Sequence, residues 1–221
     1  MSQLTLIALP TSPYAARLHI QILHKDLEVQ TKFPAEGISP AQHGTMNPFA
    51  RTPILLDGPD QIIESAAIAE YLEDLHPEPG MRGQSLLETA RVRAFVRAVD
   101  LDLFPLLFRL RTLNVSDSAI TPASGELLAW LNSELLAELH QVLGKLEALM
   151  AGDSHVCGNQ LSLADCALLP ACFYLDFFLG RWQQDDFRLQ HALLENWWRG
   201  MIQHASVATV MAGLNEATQQ L

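Results

Sequence analysis

Apolar positions change their period along this chain. Leu4, Leu6 and Ala8 alternate with Thr5 and Ile7 in a short apolar run that Pro10-Thr11-Ser12-Pro13 breaks. Such a run predicts a strand. From Pro13 to about Lys25, Ala15, Leu18, Ile22 and Leu23 recur at helical spacing. Ser12 followed by Pro13 is a helix start, with serine as N-cap and proline at the first helical position. Val29, Thr31 and Phe33 alternate with polar residues, which predicts a second strand. Pro53 opens a third apolar run, Ile54-Leu55-Leu56. Asp57-Gly58-Pro59-Asp60 is a turn, and Gln61-Ile62-Ile63 returns as a fourth strand. Glu64-Ser65 begins a second helix bearing Ala66, Ile68, Ala69 and Leu72, with Ser65 in the capping position.

The order is therefore β-α-β, a long connection, then β-β-α. The first unit should be parallel and right-handed, and the turn at Asp57-Gly58 should form an antiparallel hairpin. A small mixed sheet covered by helices is the thioredoxin-like arrangement. Beyond it the chain is Leu- and Ala-rich with helical periodicity over 86–113 (bent at Pro105), 125–150, 162–178, 193–204 and 207–219. Pro77-Glu78-Pro79-Gly80 cannot continue a helix and sets a boundary. The expected fold is α/β plus all-α: a thioredoxin-like domain over 1–80 and a helical-bundle domain over 81–221.

The 221 residues are 49% hydrophobic and 18% charged, which excludes a disordered chain. A net charge of −11 argues against binding nucleic acid, whose phosphates need a basic surface, while one local basic pocket stays compatible with it. Cys157, Cys166 and Cys172 are too few and too oddly numbered for a disulfide framework. No basic segment precedes an apolar run at the N-terminus. The most apolar stretch, Cys166 to Leu179, is interrupted by Pro170 and Asp176 and reads as a buried helix. These features imply a cytoplasmic chain with no membrane segment. No zinc-site spacing and no glycine-rich phosphate loop is present, so no metal is expected.

Three places have residue types suited to chemistry. Ser12 is a helix cap. The same helix terminus stabilises an anion such as a thiolate, to which a serine hydroxyl also donates. Arg51-Thr52-Pro53 is a loop entering a strand. With a cis peptide before Pro53, the Thr52 backbone could pair with a bound peptide, and Arg51 supplies a cation for a carboxylate. Glu64 could accept an ammonium beside Ser65, whose hydroxyl and following N–H groups suit a carboxylate. That pair fits an α-amino acid.

These residues lie in stretches that resemble the cytosolic glutathione transferases: Ser12-Pro13-Tyr14-Ala15-Ala16-Arg17-Leu18, Asn47-Pro48-Phe49-Ala50-Arg51-Thr52-Pro53-Ile54-Leu55, Ile63-Glu64-Ser65-Ala66-Ala67-Ile68-Ala69-Glu70-Tyr71-Leu72, and Gly158-Asn159-Gln160-Leu161-Ser162-Leu163-Ala164-Asp165. The resemblance implies glutathione as co-substrate, a cis Pro53, and Thr52 pairing with the cysteinyl backbone. It implies Glu64 and Ser65 at the γ-glutamyl end, Arg51 near the glycyl carboxylate, and Ser12 as the thiol-activating residue of a serine-type enzyme. It further implies a small hydrophobic electrophile, a pocket containing Phe104, Phe108 and Arg111, and a homodimer. Ser162 and Asp165 read independently as a capping box and are assigned to folding.

The chain departs from the tyrosine-type classes, since its first strand has no Tyr. It departs from cysteine-type enzymes, since no Cys lies near the first helix. Tyr14 is assigned to packing. Two other readings remain open: a non-enzymatic binding or regulatory protein of the same fold, and a glutathione-dependent isomerase or dehalogenase.

Overall fold

The computed structural model describes residues 3–34, 44–116, 125–152, 154–181 and 187–219, and side chains within these except 114–132. Four short strands form one sheet in the order β2-β1-β3-β4: β1 (Leu4–Ile7), β2 (Val29–Lys32), β3 (Ile54–Asp57) and β4 (Asp60–Ile63). β1 and β2 are parallel, pairing Leu4 with Val29 and Ile7 with Lys32. β1 and β3 are antiparallel, pairing Leu4 with Asp57 and Ile7 with Ile54, as are β3 and β4. Central strands β1 and β3 bury Leu6, Ile7, Ile54 and Leu55 completely or nearly so. The β3–β4 loop is Gly58-Pro59, and Gly58 takes φ +59°. A two-residue hairpin wants positive φ at its first position, which glycine supplies without strain.

Helix α1 (Pro13–His24) connects β1 to β2, and α2 (Ser65–Leu75) follows β4. Ser12 caps α1 through its side-chain oxygen, which accepts from Ala15 N–H at 3.2 Å. The cap of α2 lies one residue earlier than the pattern suggests. Glu64 is the N-cap, with φ +69°, and Ser65 is the first helical residue. The left-handed backbone of a non-glycine residue is invisible to periodicity.

Polar groups lock α1 to α2 and to the chain that follows. Lys25 Nζ pairs with Glu73 at 2.8 Å and donates to the carbonyls of His76 and Pro79. Gln21 donates to Ala69 C=O and to Glu73, whose other oxygen accepts from Met81 N–H. Buried charges demand such partners.

The remaining chain is helical: α3 (Leu86–Ala98), a π-helical turn (Val99–Leu103), α4 (Phe104–Ser116), α5 (Gly125–Leu149), α6 (Leu163–Gly180), α7 (Ala192–Met201) and α8 (Ala205–Thr218). The irregularity expected at Pro105 is this wide turn. A proline ring excludes the carbonyl one turn back and offers no N–H, and a π turn accommodates both. α6 lies at the centre, packed against α1, α3 and α4. Among the described residues α6 is the one helix long and apolar enough to cross a membrane, yet 78% of it is buried inside the molecule. Its capping box is complete. Asp165 accepts from Ser162 N–H and Oγ, and also from Val156 N–H at 2.8 Å and Trp197 Nε1 at 2.7 Å.

Candidate functional site

The first turn of α1 is the centre of the candidate site. Pro13 has no N–H, and Ala15 N–H is taken by Ser12. Tyr14 N–H, among the described residues, has no acceptor. The Ser12 oxygen accepts from Ala15 and keeps its own proton to donate. A half-buried hydroxyl and an open amide at the positive end of a 12-residue helix form a place for an anion.

Behind this turn stands an ion pair. Arg17, 3% exposed, binds Asp100 of the π turn through two bonds, Nη2 at 2.6 Å and Nη1 at 3.2 Å. The Arg17 guanidinium carbon sits 5.2 Å from the centre of the Tyr14 ring and 5.4 Å from that of Phe104. Tyr14 and Phe104 centroids are 4.6 Å apart, and Phe108 lies 6.3 Å from each. Phe104 is buried and backs Tyr14, whereas Phe108 is 42% exposed. Of the three pocket residues expected from sequence, Phe108 and Arg111 are exposed and Phe104 is buried against Tyr14.

Packing is the expectation for Tyr14, and its ring does pack against Phe104. Its phenol also marks where sequence-distant charges meet. Burial pushes its pKa up, helped by Asp100 and Glu64, and the guanidinia of Arg17 and Arg51 oppose the rise. Arg51 and Glu64 therefore lie within electrostatic reach of the first turn of α1. Among the described residues the Tyr14 hydroxyl has no hydrogen-bond partner. Its sequence signal was its place two residues after Ser12, which directs it into the same turn.

The Thr52–Pro53 peptide is cis, as the resemblance implies. The loop before it is held by Asn47, to which the sequence pattern assigns no role. Asn47 is buried, donates to Arg51 C=O at 2.8 Å and accepts from Phe49 N–H at 3.0 Å. Asn before Pro is a turn former, and that was the available signal. Arg51 is exposed, with its guanidinium 5.9 Å from the Phe49 ring centre. Glu64 is exposed beside buried Ser65, and the positive φ of Glu64 sets the direction of entry into α2.

From the other side, Tyr174 of α6 donates its hydroxyl to Thr11 C=O, the residue before Ser12. Burial pushes the Tyr174 pKa up to about 12, and Arg111 opposes that rise. The three cysteines are buried thiols without disulfides. Burial raises all three pKa values, Cys157 to about 11, so none is poised as a nucleophile. Among the described residues no three His, Cys, Asp or Glu side chains converge as a metal-binding group.

The family model for the glutathione S-transferase N-terminal domain matches residues 6–80, and that for the glutathione S-transferase C-terminal domain matches residues 132–199. Glutathione S-transferase F10 of Arabidopsis thaliana is 30% identical over 134 residues, 59% of this chain and 60% of that protein. The probable maleylacetoacetate isomerase of Vibrio cholerae is 28% identical over 138 residues, 62% of this chain and 63% of that protein. The chain thus spans about three fifths of each of these relatives. A glutathione S-transferase from Methylobacterium radiotolerans, solved in complex with glutathione sulfonate, shares the fold with a TM-score of 0.73 at 22% identity, over 95% of both chains. With an N-terminal thioredoxin-like domain, a C-terminal helical domain and both family models matched in order, the chain belongs to the glutathione transferase family.

Proposed function

We propose that this chain is a glutathione-dependent transferase in which Ser12 activates the thiol. Glutathione lies across residues 1–80, and the electrophile approaches from the helical domain, residues 81–221. The γ-glutamyl ammonium meets Glu64, and its carboxylate meets the Ser65 hydroxyl and the N-terminus of α2. The Thr52 backbone pairs with the cysteinyl backbone, and Arg51 faces the glycyl carboxylate. Met by the Ser12 O–H and the Tyr14 N–H, the thiol gives its proton to solvent and persists as thiolate. The sulfur electron pair then forms a C–S bond to an electrophilic carbon, and the leaving group departs with its own pair.

The observation that carries this reading is the first turn of α1, where Ser12 accepts from Ala15 N–H at 3.2 Å with its own proton left to donate, beside a Tyr14 N–H that has no acceptor among the described residues. Arg51 and Glu64 come from two other segments, yet the charges of both act on the phenol of Tyr14 in that turn. A regulatory protein would have no need to keep an open hydroxyl, an open amide and these charges together. An isomerase would begin with the same thiolate, and the Vibrio cholerae relative keeps that reaction type in view. A net charge of −11 argues against nucleic acid as a partner. Exposed Phe49, Leu86 and Leu87, at 64%, 92% and 61%, are suited to a homodimer contact, and the setting is cytoplasmic.

Calorimetric titration with glutathione tests the proposal, using the native chain and Ser65→Ala. Saturable binding that weakens in the variant supports it. No binding by the native chain at millimolar glutathione overturns it in favour of an interaction protein.

A further inference from the structure

Helix α4 presents Phe104, Phe108 and Arg111 at spacings of four and three, so the three share one face. Phe104 is covered by the Tyr14 ring, Phe108 extends beyond it, and Arg111 lies one turn further out. Two cations beside this wall are committed. Arg109 of the same helix pairs with Glu138, and Arg17 pairs with Asp100. Arg111 has no carboxylate partner among the described residues. With 25 acidic and 14 basic residues in the chain, carboxylates to neutralise it are plentiful. An open guanidinium at the end of an aromatic wall calls for a ligand anion.

A second element of the helical domain reaches the same turn of α1. Tyr174 hydrogen-bonds the carbonyl of Thr11, adjacent to Ser12. The charge of Arg111 is felt at that same Tyr174 phenol. Arg111 follows Phe104 and Phe108 on the face of α4 against which Tyr14, two residues after Ser12, packs its ring.

We infer that the electrophile accepted here carries a carboxylate, held by Arg111, on a flat unsaturated body laid against Tyr14 and Phe108. This rests on the reading that glutathione places its sulfur at Ser12. A planar guanidinium matches a carboxylate with two parallel N–H bonds. Tyr14 offers that body a hydroxyl with no partner among the described residues, and Phe108 offers an exposed ring. The charge at Arg111 thus selects among electrophiles of similar size, a choice the aromatic wall alone cannot make.

The test uses product analogues, so that it needs no turnover. The full chain is titrated calorimetrically with glutathione, S-benzylglutathione, S-(4-carboxybenzyl)glutathione and its neutral 4-carbamoyl isostere. The carboxylate conjugate is expected to bind about tenfold tighter than the carbamoyl one, the size of one charge-assisted contact. Added salt should narrow that ratio. Arg111→Gln, at an exposed position that leaves packing intact, should bring the two affinities together, and Arg111→Lys should restore part of the ratio. Equal affinities in the native chain overturn the inference and leave the glutathione reading standing. So does a carboxylate preference that survives Arg111→Gln. Failure of glutathione and every conjugate to bind overturns the glutathione reading itself, and this inference with it.

Discussion

Replacing Ser12 by alanine removes two things at once: the oxygen that accepts from Ala15 N–H at 3.2 Å, and the proton that oxygen has left to donate. The two losses have separate magnitudes. Loss of an N-cap costs about 1 kcal/mol when alanine is the replacement and only a few tenths when glycine is. For a chain of this size ~1 kcal/mol lowers Tm by roughly 2–4 °C. A hydrogen bond to a charged group contributes about 1.5–3 kcal/mol, which corresponds to a thiol pKa lowered by roughly 1–2 units. An unperturbed thiol near 8.5 is about 3% thiolate at neutral pH, and one near 7 is about half ionised.

Ser12→Ala and Ser12→Gly should thus share one property and differ in another. Both should return the bound glutathione thiol toward its ordinary pKa, read from the ultraviolet thiolate band as pH is varied. Turnover at neutral pH should fall about tenfold or more in both. Only the alanine variant should lose the full few degrees of Tm. Ser12→Thr keeps acceptor and donor and should stay near the native values in each assay. A thiol pKa unchanged in both the alanine and glycine variants would refute the donor role. So would turnover that follows Tm rather than the loss of the hydroxyl.

Other consequences follow from the buried polar groups. Asp100→Ala leaves the Arg17 guanidinium buried without its counter-ion, and should cost about 3–5 kcal/mol in urea unfolding. Arg17→Met combined with Asp100→Ala should recover much of that loss, and a double variant no better than Asp100→Ala alone would contradict the ion-pair account. Asp165→Ala removes an acceptor shared by Ser162, Val156 and Trp197. It should lower the urea midpoint while glutathione affinity in the folded protein stays at the native value, and weakened affinity would show that Asp165 reaches the ligand. Burial lowers the pKa of His19, His24 and His140, the last with help from the neighbouring His191 imidazole. The unfolded chain then takes up these protons first as pH falls through about 6.5. Their stabilising effect is complete above that pH and is lost below it. Melting curves between pH ~7.5 and ~5.5 should show Tm falling on acidification, and a rising Tm would reverse the assignment. The Asp176 pKa is raised by burial, which acts oppositely but in the more acidic carboxylate range.

The elements were legible where punctuation is chemical and local. Proline at 10, 13 and 53 and glycine at 58 bracket the strands. Ser12-Pro13 and Ser162 to Asp165 state two helix starts within four residues each. Ser65 shows the limit of that grammar. Serine is an ordinary cap, but Glu64 takes a left-handed backbone and the cap with it, so Ser65 enters the helix. Nothing in the order of residue types announces a positive φ at a glutamate. Arg17 and Asp100 are 83 positions apart, and at sequence level each is one more charged residue in a helical pattern. Their pairing depends on α1 meeting the π turn, a tertiary event. Tyr14 depends on the same meeting. Its ring is placed by Phe104 and Phe108 of α4 and by Arg17 beneath it, so the sequence could offer only that it lies near Ser12. A sequence pattern can nominate residues that act within one turn of backbone, such as Ser12. Residues whose surroundings are made by two domains together, such as Tyr14, acquire their meaning only where α4 and α6 pack on the first turn of α1.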